Sequence, residues 1–445
     1  MKENIFELIE EKKYGLVRKE IIKLNSVDIA EFIEELQKDQ AVILFRLLPK
    51  DMSVEVFSNL ENDTQEAIIR AITDKEIANI VNDLYFDDMI DFIEEMPATI
   101  VKKILKHTKE DERKLINQFL NYPADSAGSL MTIEYVGLKK EMTLKQAMEL
   151  IKRVGIDKET IYTCYVMDSN RKLEGIVSLR KLVISDEDQT VEDIMVTNPI
   201  KVYTHDDQEE IANVFKKYDF IALPVVDKED RLTGIITIDD VVDVIEQENT
   251  EDFHKMAAME PTEEDYLDTS VFTLAKRRIM WLMILMVSAM FTGSIINKFQ
   301  DVLQKVVILA SFMPMLMGTG GNAGSQSSTL VIRGMALEQI QLSDLFKVIG
   351  KELRVSLLVG LGLALLNFIR MYYLQSVDIK IATTVCLTLI VVVVIAKLVG
   401  GTLPILARSL KLDPAIMASP FITTIVDAVS LFVYFSMASY FLGIG

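Results

Sequence analysis

The sequence predicts a multidomain protein in which an acidic soluble body precedes an all-α membrane domain. The first observation behind this prediction is a division of charge: residues 1–270 hold 59 acidic and 33 basic residues, whereas residues 271–445 hold 7 and 14. The second is an internal repeat of strands and helices near the middle of the chain. The third is a set of five stretches after residue 276 that are long and apolar enough to be membrane-span candidates.

Residues 1–128 are predicted to form an all-α domain of short helices. Apolar residues recur at spacings of three and four in the stretches Asp28–Leu36, Asp74–Leu84 and Asp87–Met96, each of which opens with an aspartate at a cap-like position. Because helices this short cannot bury an apolar face alone, we expect them to stack into a superhelix.

Residues 129–245 contain a strand–turn–strand–helix unit that occurs twice. The segment that begins at Val166 matches the one that begins at Val225, 59 residues later, and in each copy an Asp and a Gly bracket a hairpin. This α/β pattern resembles a tandem pair of CBS modules, a regulatory fold.

The second copy also has the adenosine-binding pattern of that fold, a glycine followed by Thr/Ser-x-x-Asp. It is complete as Gly234, Thr237 and Asp240, whereas Lys181 stands at the aspartate position of the first copy. The resemblance therefore implies a nucleotide site, for ATP or a related molecule, at Thr237 and Asp240.

An acidic connecting helix is predicted over residues 246–275, followed by a membrane domain over residues 276–445. The five candidate spans are 279–296, the glycine-rich stretch within 306–332, 353–374, 381–406 and 416–442. Placing the acidic body in the cytoplasm puts nine Lys/Arg of this domain on the inner side and four outside, in line with the positive-inside bias. The C-terminus would then be extracellular and the protein a multi-pass plasma-membrane protein.

Two features of these spans indicate an ion path. Asp427 is the one charged residue between Pro414 and Gly445, and an acid in a membrane span is a functional candidate by default. The stretch Pro314–Gln326 is too rich in glycine and polar residues for a lipid-facing helix, and we expect its backbone to be opened and to line water or protein. The alternative for Asp427 is a structural pairing with a neighbouring helix.

Several other classes of function are excluded or disfavoured. Cys164 and Cys386 cannot form a disulfide framework, and with three scattered histidines there is no zinc-type cluster, so a bound metal should be a hard cation held by oxygen. An acidic body is unsuited to nucleic acid. Enzyme motifs such as a phosphate-binding P-loop or a nucleophile elbow are absent from the sequence, which predicts a non-enzyme.

The chain resembles the MgtE family of magnesium channels and transporters over nearly its full length. The residues that carry the resemblance are Pro314 with the run Gly318–Gln326, the run Gly400–Pro404, Leu412–Pro414, and the run that ends at Asp427. The resemblance implies a homodimer in the membrane lipid, a pore on its two-fold axis, and a cytoplasmic body that closes the pore when internal Mg²⁺ is high.

Mg²⁺ holds its waters tightly, so a selective path should bind the hydrated ion with few carboxylates. The paired Asp427 side chains would supply charge and, by family similarity, Asn322 would supply hydrogen bonds. Pro314 is expected to break the helix, and glycines at 318, 320, 321 and 324 to permit close approach and unwinding. Lys397 is awkward, because an ammonium facing the path would repel Mg²⁺; it could snorkel, lose its proton or pair with Asp427, and we expect it to point away from the axis.

The resemblance also places regulatory Mg²⁺ contacts on acids near domain boundaries. Like charges across an interface repel, and a bound cation reverses that term, so the metal-loaded form should be compact and closed. The candidate ligands are Asp87, Asp91, Asp207, Glu209, Asp219, Asp240, Asp243, Glu248, Glu251 and Asp252.

The predicted function is therefore Mg²⁺ entry into the cytoplasm down its electrochemical gradient, inhibited by cytoplasmic Mg²⁺. Two alternatives stay open from the sequence. One is a non-conducting, membrane-anchored sensor of Mg²⁺ or nucleotide. The other is a transporter of another divalent cation such as Co²⁺ or Mn²⁺.

Overall fold

The chain forms two compact units, Met1–Ile245 and Glu246–Gly445. They are seen in a computed structural model that describes residues 2–108, 110–262, 266–267, 269–417 and 419–443. The first unit contains the helical repeats and the strand–helix repeats, and the second contains the membrane helices.

Short helices of eight to ten residues build the front of the first unit, as expected. Helix α3 packs on α5, α4 on α6, α5 on α7 and α7 on α9, which is the pattern of a stacked array. The helices are α1 (Lys2–Glu10), α2 (Tyr14–Ile21), α3 (Ser26–Glu34), α4 (Lys38–Leu47), α5 (Lys50–Ser58), α6 (Asn62–Ala71), α7 (Asp74–Asp83), α8 (Phe86–Glu95), α9 (Ala98–His107) and α10 (Glu110–Phe119).

The aspartates that open these helices do not cap them. Asp28, Asp74 and Asp87 all lie in the first turn, one to three residues inside their helices. Caps are supplied instead by Asn25 for α3 and by Thr73, which forms a capping box with Glu76, for α7. The prediction of cap positions was wrong by a few residues, although a first-turn carboxylate still favours the positive end of the helix dipole.

Two small sheets form the rest of the first unit. One has the order β1–β2–β3–β4 and the other β5–β6–β7; β1 pairs parallel with β2, and β5 with β6. The elements are α11 (Ala127–Leu130), β1 (Val136–Leu138), α12 (Leu144–Val154), β2 (Thr163–Met167), β3 (Leu173–Ser178), α13 (Leu179–Ile184), α14 (Val191–Ile194), β4 (Val196–Thr197), β5 (Val202–Tyr203), α15 (Gln208–Tyr218), β6 (Ala222–Val226) and β7 (Leu232–Thr237).

The internal repeat is reproduced down to its hydrogen bonds. Asp168 Oδ1 accepts from the backbone N–H groups of Asn170 and Lys172 at 2.7 and 2.8 Å. Asp227 Oδ1 likewise accepts from the backbone N–H groups of the residues two and four positions later in the chain, at 2.9 Å each. In both copies the aspartate thus folds the hairpin turn between its two strands, which confirms the predicted tandem α/β repeat.

The connecting helix begins and ends earlier than predicted. Helix α16 (Ile238–Met256) follows β7 directly and is 19 residues long, so the expected helix over residues 246–275 is wrong. Ala258 adopts a left-handed backbone conformation (φ 54°), and Pro261 follows it. Both stop a helix, because one reverses the chain and the other cannot donate the next hydrogen bond.

The second unit is a bundle of long helices. Within the described ranges, four stretches are long and apolar enough to cross a membrane: Val271–Lys298, Leu342–Leu374, Ile379–Ser409 and Pro414–Leu442. A further helix of 24 residues carries the glycine-rich run and packs between the last two of these stretches. The helices are α17 (Val271–Lys298), α18 (Gln300–Lys305), α19 (Met313–Ala336), α20 (Leu345–Ile369), α21 (Ile379–Ser409) and α22 (Ser419–Leu442).

Candidate functional site

The glycine-rich segment is a continuous α-helix. Helix α19 runs without interruption through Gly318–Gln326, and Pro314 lies in its first turn, where a proline needs no hydrogen-bond partner. The expectation of an unwound backbone through this run was therefore wrong, whereas Pro314 does lie at a break, where a 3₁₀ segment (Val307–Phe312) gives way to α19. The glycines serve packing instead.

One face of α19 is packed so closely that side chains are excluded. A Cβ at Gly400 of α21 would lie 2.1 Å from the carbonyl oxygen of Gly324, so the two backbones touch. A Cβ at Gly320 would lie 2.9 Å from atoms of Val392, Val426 and Ser430. These contacts fix α19 against both α21 and α22, which accounts for the close approach that the sequence indicated.

The opposite face of α19 has no partner among the described residues. Pro314, Gly318, Asn322 and Gln326 recur every four residues and are exposed, whereas the residues around them are buried or partly buried. A Cβ at Gly318 would meet nothing within 4 Å. An amide-bearing helix face at membrane depth is unsuited to lipid, so this stripe must face water or another polypeptide.

Asp427 belongs to the helix that flanks this stripe. It lies on α22 one turn after Thr423, whose side chain is 2.9 Å from the Cβ position of Gly321, the neighbour of Asn322. Its side chain is partly exposed. Within the described part of the chain, no Lys or Arg nitrogen comes within 4 Å of its carboxylate, so the structural-pairing alternative finds no partner here.

Lys397 is not that partner. Its ammonium is directed to Ser327 Oγ on α19, at 3.4 Å. The suggested pairing of Lys397 with Asp427 is thereby contradicted.

Six carboxylates gather inside the first unit, where α8 and α16 begin. We call them the acidic seam; electrostatic repulsion couples them, and they are Asp87, Asp88, Glu134, Glu159, Asp239 and Asp240. Asp87 is 8% exposed. One buried oxygen each of Asp87, Glu134 and Glu159 accepts no hydrogen bond from any described residue.

Burial and mutual repulsion hold protons on the seam. Burial, with repulsion from Asp240 next, raises the pKa of Asp87 well above its ordinary value. Burial raises the pKa of Asp88 and Asp240 to about 6 and of Glu134 and Glu159 to about 7. Buried carboxylate oxygens without a hydrogen-bond partner, on groups whose pKa is raised, are of the type that a hard cation prefers as ligands.

Two members of the seam were beyond sequence reasoning. Glu134 and Glu159 are 25 residues apart and meet because the Glu159 N–H donates to the Glu134 carbonyl at 3.0 Å. No local pattern signals that contact. Asp88 and Asp239, by contrast, adjoin the predicted Asp87 and Asp240 and could have been included. In this conformation no three of the described acids are close enough to hold one metal ion.

Three predicted ligands of the second repeat, Asp207, Glu209 and Asp219, lie at the two ends of α15 and stay predictions. The Asp207 side chain caps α15, because its Oδ1 accepts from the N–H of Glu209 at 2.9 Å. Asp219 lies at the other end of the same helix in a left-handed conformation. Since α15 has 11 residues, these two ends are about 16 Å apart.

The end of the connecting helix carries a second acidic group, within the second unit. Lys255 Nζ pairs with Glu251 and with Asp413, at 2.6 Å each. Burial, followed by repulsion from Asp413, raises the pKa of Asp252 to about 6, and Glu248 adds to it. Asp91 and Asp243 each have interactions of their own, and their role as Mg²⁺ ligands stays a prediction.

The adenosine-binding pattern of the second copy is formed. Thr237 Oγ1 donates to Asp240 Oδ2 at 2.7 Å, which orients the carboxylate that the pattern assigns to a ribose. In the first copy Lys181 Nζ instead donates to the carbonyl of Ile194. The described part of the chain thus has one such Thr–Asp pair, and the Asp240 of this pair is also a member of the acidic seam.

A tandem strand–helix repeat, an acidic body and a carboxylate in a glycine-packed helix bundle together indicate a membrane transporter of cations. Comparison with known proteins agrees. Profiles described as the MgtE divalent cation transporter, the MgtE intracellular N domain and the CBS domain match residues 313–437, 24–125, and 127–186 with 191–247. The chain is 36% identical over 438 residues to the magnesium transporter MgtE of Thermus thermophilus, covering 97% of this chain and 96% of that protein.

The corresponding protein of Bacillus subtilis is 33% identical over 435 residues, covering 98% of this chain and 96% of that protein. Among solved structures, the cytosolic domain of the Mg²⁺ channel MgtE in complex with ATP matches 55% of this chain and all of that one, with 33% identity and a TM-score of 0.53. The protein belongs to the MgtE family of magnesium transporters.

Proposed function

We propose that the protein is a homodimeric Mg²⁺ channel or carrier that admits Mg²⁺ to the cytoplasm down its electrochemical gradient. The observation that carries this proposal is the unpartnered stripe of α19, with Asn322 at its centre and Asp427 on the adjoining helix. A second copy facing this stripe would enclose a polar path with a carboxylate from each chain. Two negative charges balance one dication, and a hydrated ion needs no closer coordination.

The membrane topology follows from the same proposal. The acidic first unit lies in the cytoplasm, and five crossings leave the C-terminus outside. Transport needs no chemical energy source, because the membrane potential itself favours cation entry.

Loss of the carboxylate at Asp427 tests the path. In liposomes loaded with a Mg²⁺ indicator, we expect Asp427→Asn to reduce influx at least about 100-fold, because the path loses both fixed charges. Asp301→Asn, which removes an exposed acid in the short helix α18, is the matched control and should conduct as the unmodified protein does. Equal flux from Asp427→Asn and the unmodified protein would refute the path; no flux from either would favour a non-conducting sensor.

The ion itself is tested by competition. Co²⁺ or Mn²⁺ added outside should inhibit Mg²⁺ influx only at concentrations above that of Mg²⁺. Inhibition at far lower concentrations would instead support the rival reading, a transporter of another divalent cation.

The acidic seam is proposed as the inhibitory Mg²⁺ sensor. Without metal its carboxylates repel each other and favour an open arrangement; Mg²⁺ replaces that repulsion with attraction and compacts the unit. Asp87→Asn combined with Asp240→Asn should raise several-fold the internal Mg²⁺ concentration that halves the flux. Glu149→Gln, on the exposed face of α12, is the control and should leave it unchanged.

A nucleotide is proposed as a second regulator. Thr237 and Asp240 fit an adenosine ribose, and a relative's cytosolic domain is described in complex with ATP. Calorimetric titration should show ATP binding that Thr237→Val abolishes. Because Asp240 is common to both sites, Mg²⁺ should alter ATP affinity and ATP should alter Mg²⁺ affinity by the same factor.

A further inference from the structure

A polar triad of two buried side chains and the partly exposed Glu352 links three helices of the membrane bundle, away from Asp427. Ser327 Oγ on α19 donates to Glu352 Oε2 on α20 at 2.6 Å and receives the Lys397 ammonium of α21 at 3.4 Å. Lys397 is 5% exposed and Ser327 1% exposed. A single hydroxyl therefore bridges an acid and a base of opposite charge.

The triad lies about two to three helical turns inside the ends of its helices. Lys397 is 12 residues from the end of α21, or about 18 Å along the helix. Ser327 is 9 residues, or about 14 Å, from the C-terminal end of α19, and Glu352 is 7 residues, or about 11 Å, from the N-terminal end of α20. An ammonium at this depth is costly unless a counter-charge accompanies it.

Only one acid is available for that purpose besides Asp427. Helices α19 and α21 contain no Asp or Glu, and α20 contains Glu352 alone. Glu352 therefore serves Lys397, which leaves Asp427 without a competing cation.

The backbone is shaped to let Glu352 reach the triad. A Cβ at Gly401, one turn after Lys397, would lie 3.0 Å from Glu352 Cγ, so the acid lies across a position where α21 has no side chain. The neighbouring Gly400 is in backbone contact with Gly324, one turn before Ser327. The triad thus adjoins the closest helix crossing of the bundle.

We propose that Glu352 is the dedicated counter-ion of Lys397 and that, through Ser327, both are positioning residues for Mg²⁺ transport. The triad holds α19 in register and cancels a positive charge that contacts Ser327, which lies about 8 Å along α19 from Asn322. This inference rests on the proposed function, because the path it protects is that of Asp427 and Asn322.

A charge cycle tests the triad in full-length protein reconstituted into liposomes. Glu352→Gln leaves the ammonium uncompensated beside a path for a dication, and we expect influx to fall about tenfold, with a higher Mg²⁺ concentration for half-maximal flux. Glu352→Gln with Lys397→Met removes both charges, and influx should return to within about twofold of the unmodified protein. A merely structural role predicts the reverse, because a second buried substitution would add to the damage of the first.

Two outcomes would overturn the proposal: unchanged flux in Glu352→Gln, or a double variant no better than Glu352→Gln alone. If Glu352→Gln does not yield folded protein, recovery of folded protein in the double variant supports the pairing, and failure of both variants to fold refutes it. If even the unmodified protein conducts nothing, the proposed function fails, and the same cycle read by melting temperature still decides whether Glu352 compensates Lys397.

Discussion

The acidic seam and the interior of the membrane bundle differ in whether their charged side chains have a partner of opposite charge. The seam collects six acids, and burial together with mutual repulsion raises the pKa of Asp87, Asp88, Glu134, Glu159 and Asp240; buried oxygens of three of these find no hydrogen-bond partner among the described residues. In the bundle, the buried Lys397 is matched by Glu352, and the helix backbones touch at Gly324 and Gly400.

The difference indicates which region moves. Carboxylates that repel each other can adopt a lower-energy arrangement when a cation binds between them. Helices packed backbone to backbone have no alternative arrangement of similar energy. Conformational change should therefore be concentrated in the seam, and the bundle should transmit it as a rigid body. Substitutions should accordingly have opposite effects on stability: they should destabilise the protein in the bundle and stabilise the Mg²⁺-free protein in the seam.

The largest effect is expected from a methyl group in the bundle. Gly400→Ala places a carbon 2.1 Å from the Gly324 carbonyl oxygen, and neither backbone can yield without separating α19 from α21. We expect a destabilisation of at least about 3 kcal/mol, at the upper end for overpacking, seen as lost monodisperse protein in detergent. The control is Gly362→Ala, whose Cβ meets nothing within 4 Å and which should fold normally. Normal folding of Gly400→Ala would show that the bundle is not rigid.

Neutralising one acid of the seam should have the opposite sign. Glu159→Gln removes repulsion from Asp239 and Asp240, so the Mg²⁺-free protein should become more stable. Water screens part of this term at a partly exposed side chain, which leaves about 1 kcal/mol, or a rise of roughly 2–4 °C in melting temperature.

The same variant should respond less to Mg²⁺, because a proposed ligand is lost, so the melting-temperature gain on adding Mg²⁺ shrinks. Glu149→Gln on the exposed face of α12 is the matched control and should change neither quantity. A destabilised Glu159→Gln protein would mean that the seam is held together without a cation.

Low pH should stabilise the seam as Mg²⁺ does, because bound protons also remove the repulsion between its carboxylates. Folding raises the pKa of Asp88 and Asp240 to about 6 and of Glu134 and Glu159 to about 7, so the folded unit holds protons that the unfolded chain releases. Their contribution to stability is complete below about pH 4 and is lost as pH rises through 6 to 7. Melting temperature without Mg²⁺ should thus fall by a few degrees between pH 6 and pH 8, and less so with Mg²⁺ present. A flat or rising curve would contradict the raised pKa values.

The sequence predicted the features that depend on local pattern or on composition. The duplicated hairpins at Asp168 and Asp227 are of this kind, because one carboxylate closes each turn, and so is the isolated Asp427. The prediction of an unwound segment was wrong because glycine can either loosen a backbone or permit close helix packing. The sequence does not show which of the two applies; the contact of Gly400 with α19 in the folded protein does. Glu134 and Glu159 were missed because one long-range backbone hydrogen bond joins them.

The smallest effect separates a cap from a sensor. Asp207 was a candidate Mg²⁺ ligand, but its carboxylate accepts from the first turn of α15. Asp207→Ala should cost about 1 kcal/mol of stability, the ordinary value of a helix cap, at every Mg²⁺ concentration. Asp207→Ser, which can still cap, should recover most of that loss. If instead the loss appears only with Mg²⁺ present and serine does not restore it, Asp207 belongs to the sensing surface, and the repulsion that drives the gate extends beyond the six acids of the seam.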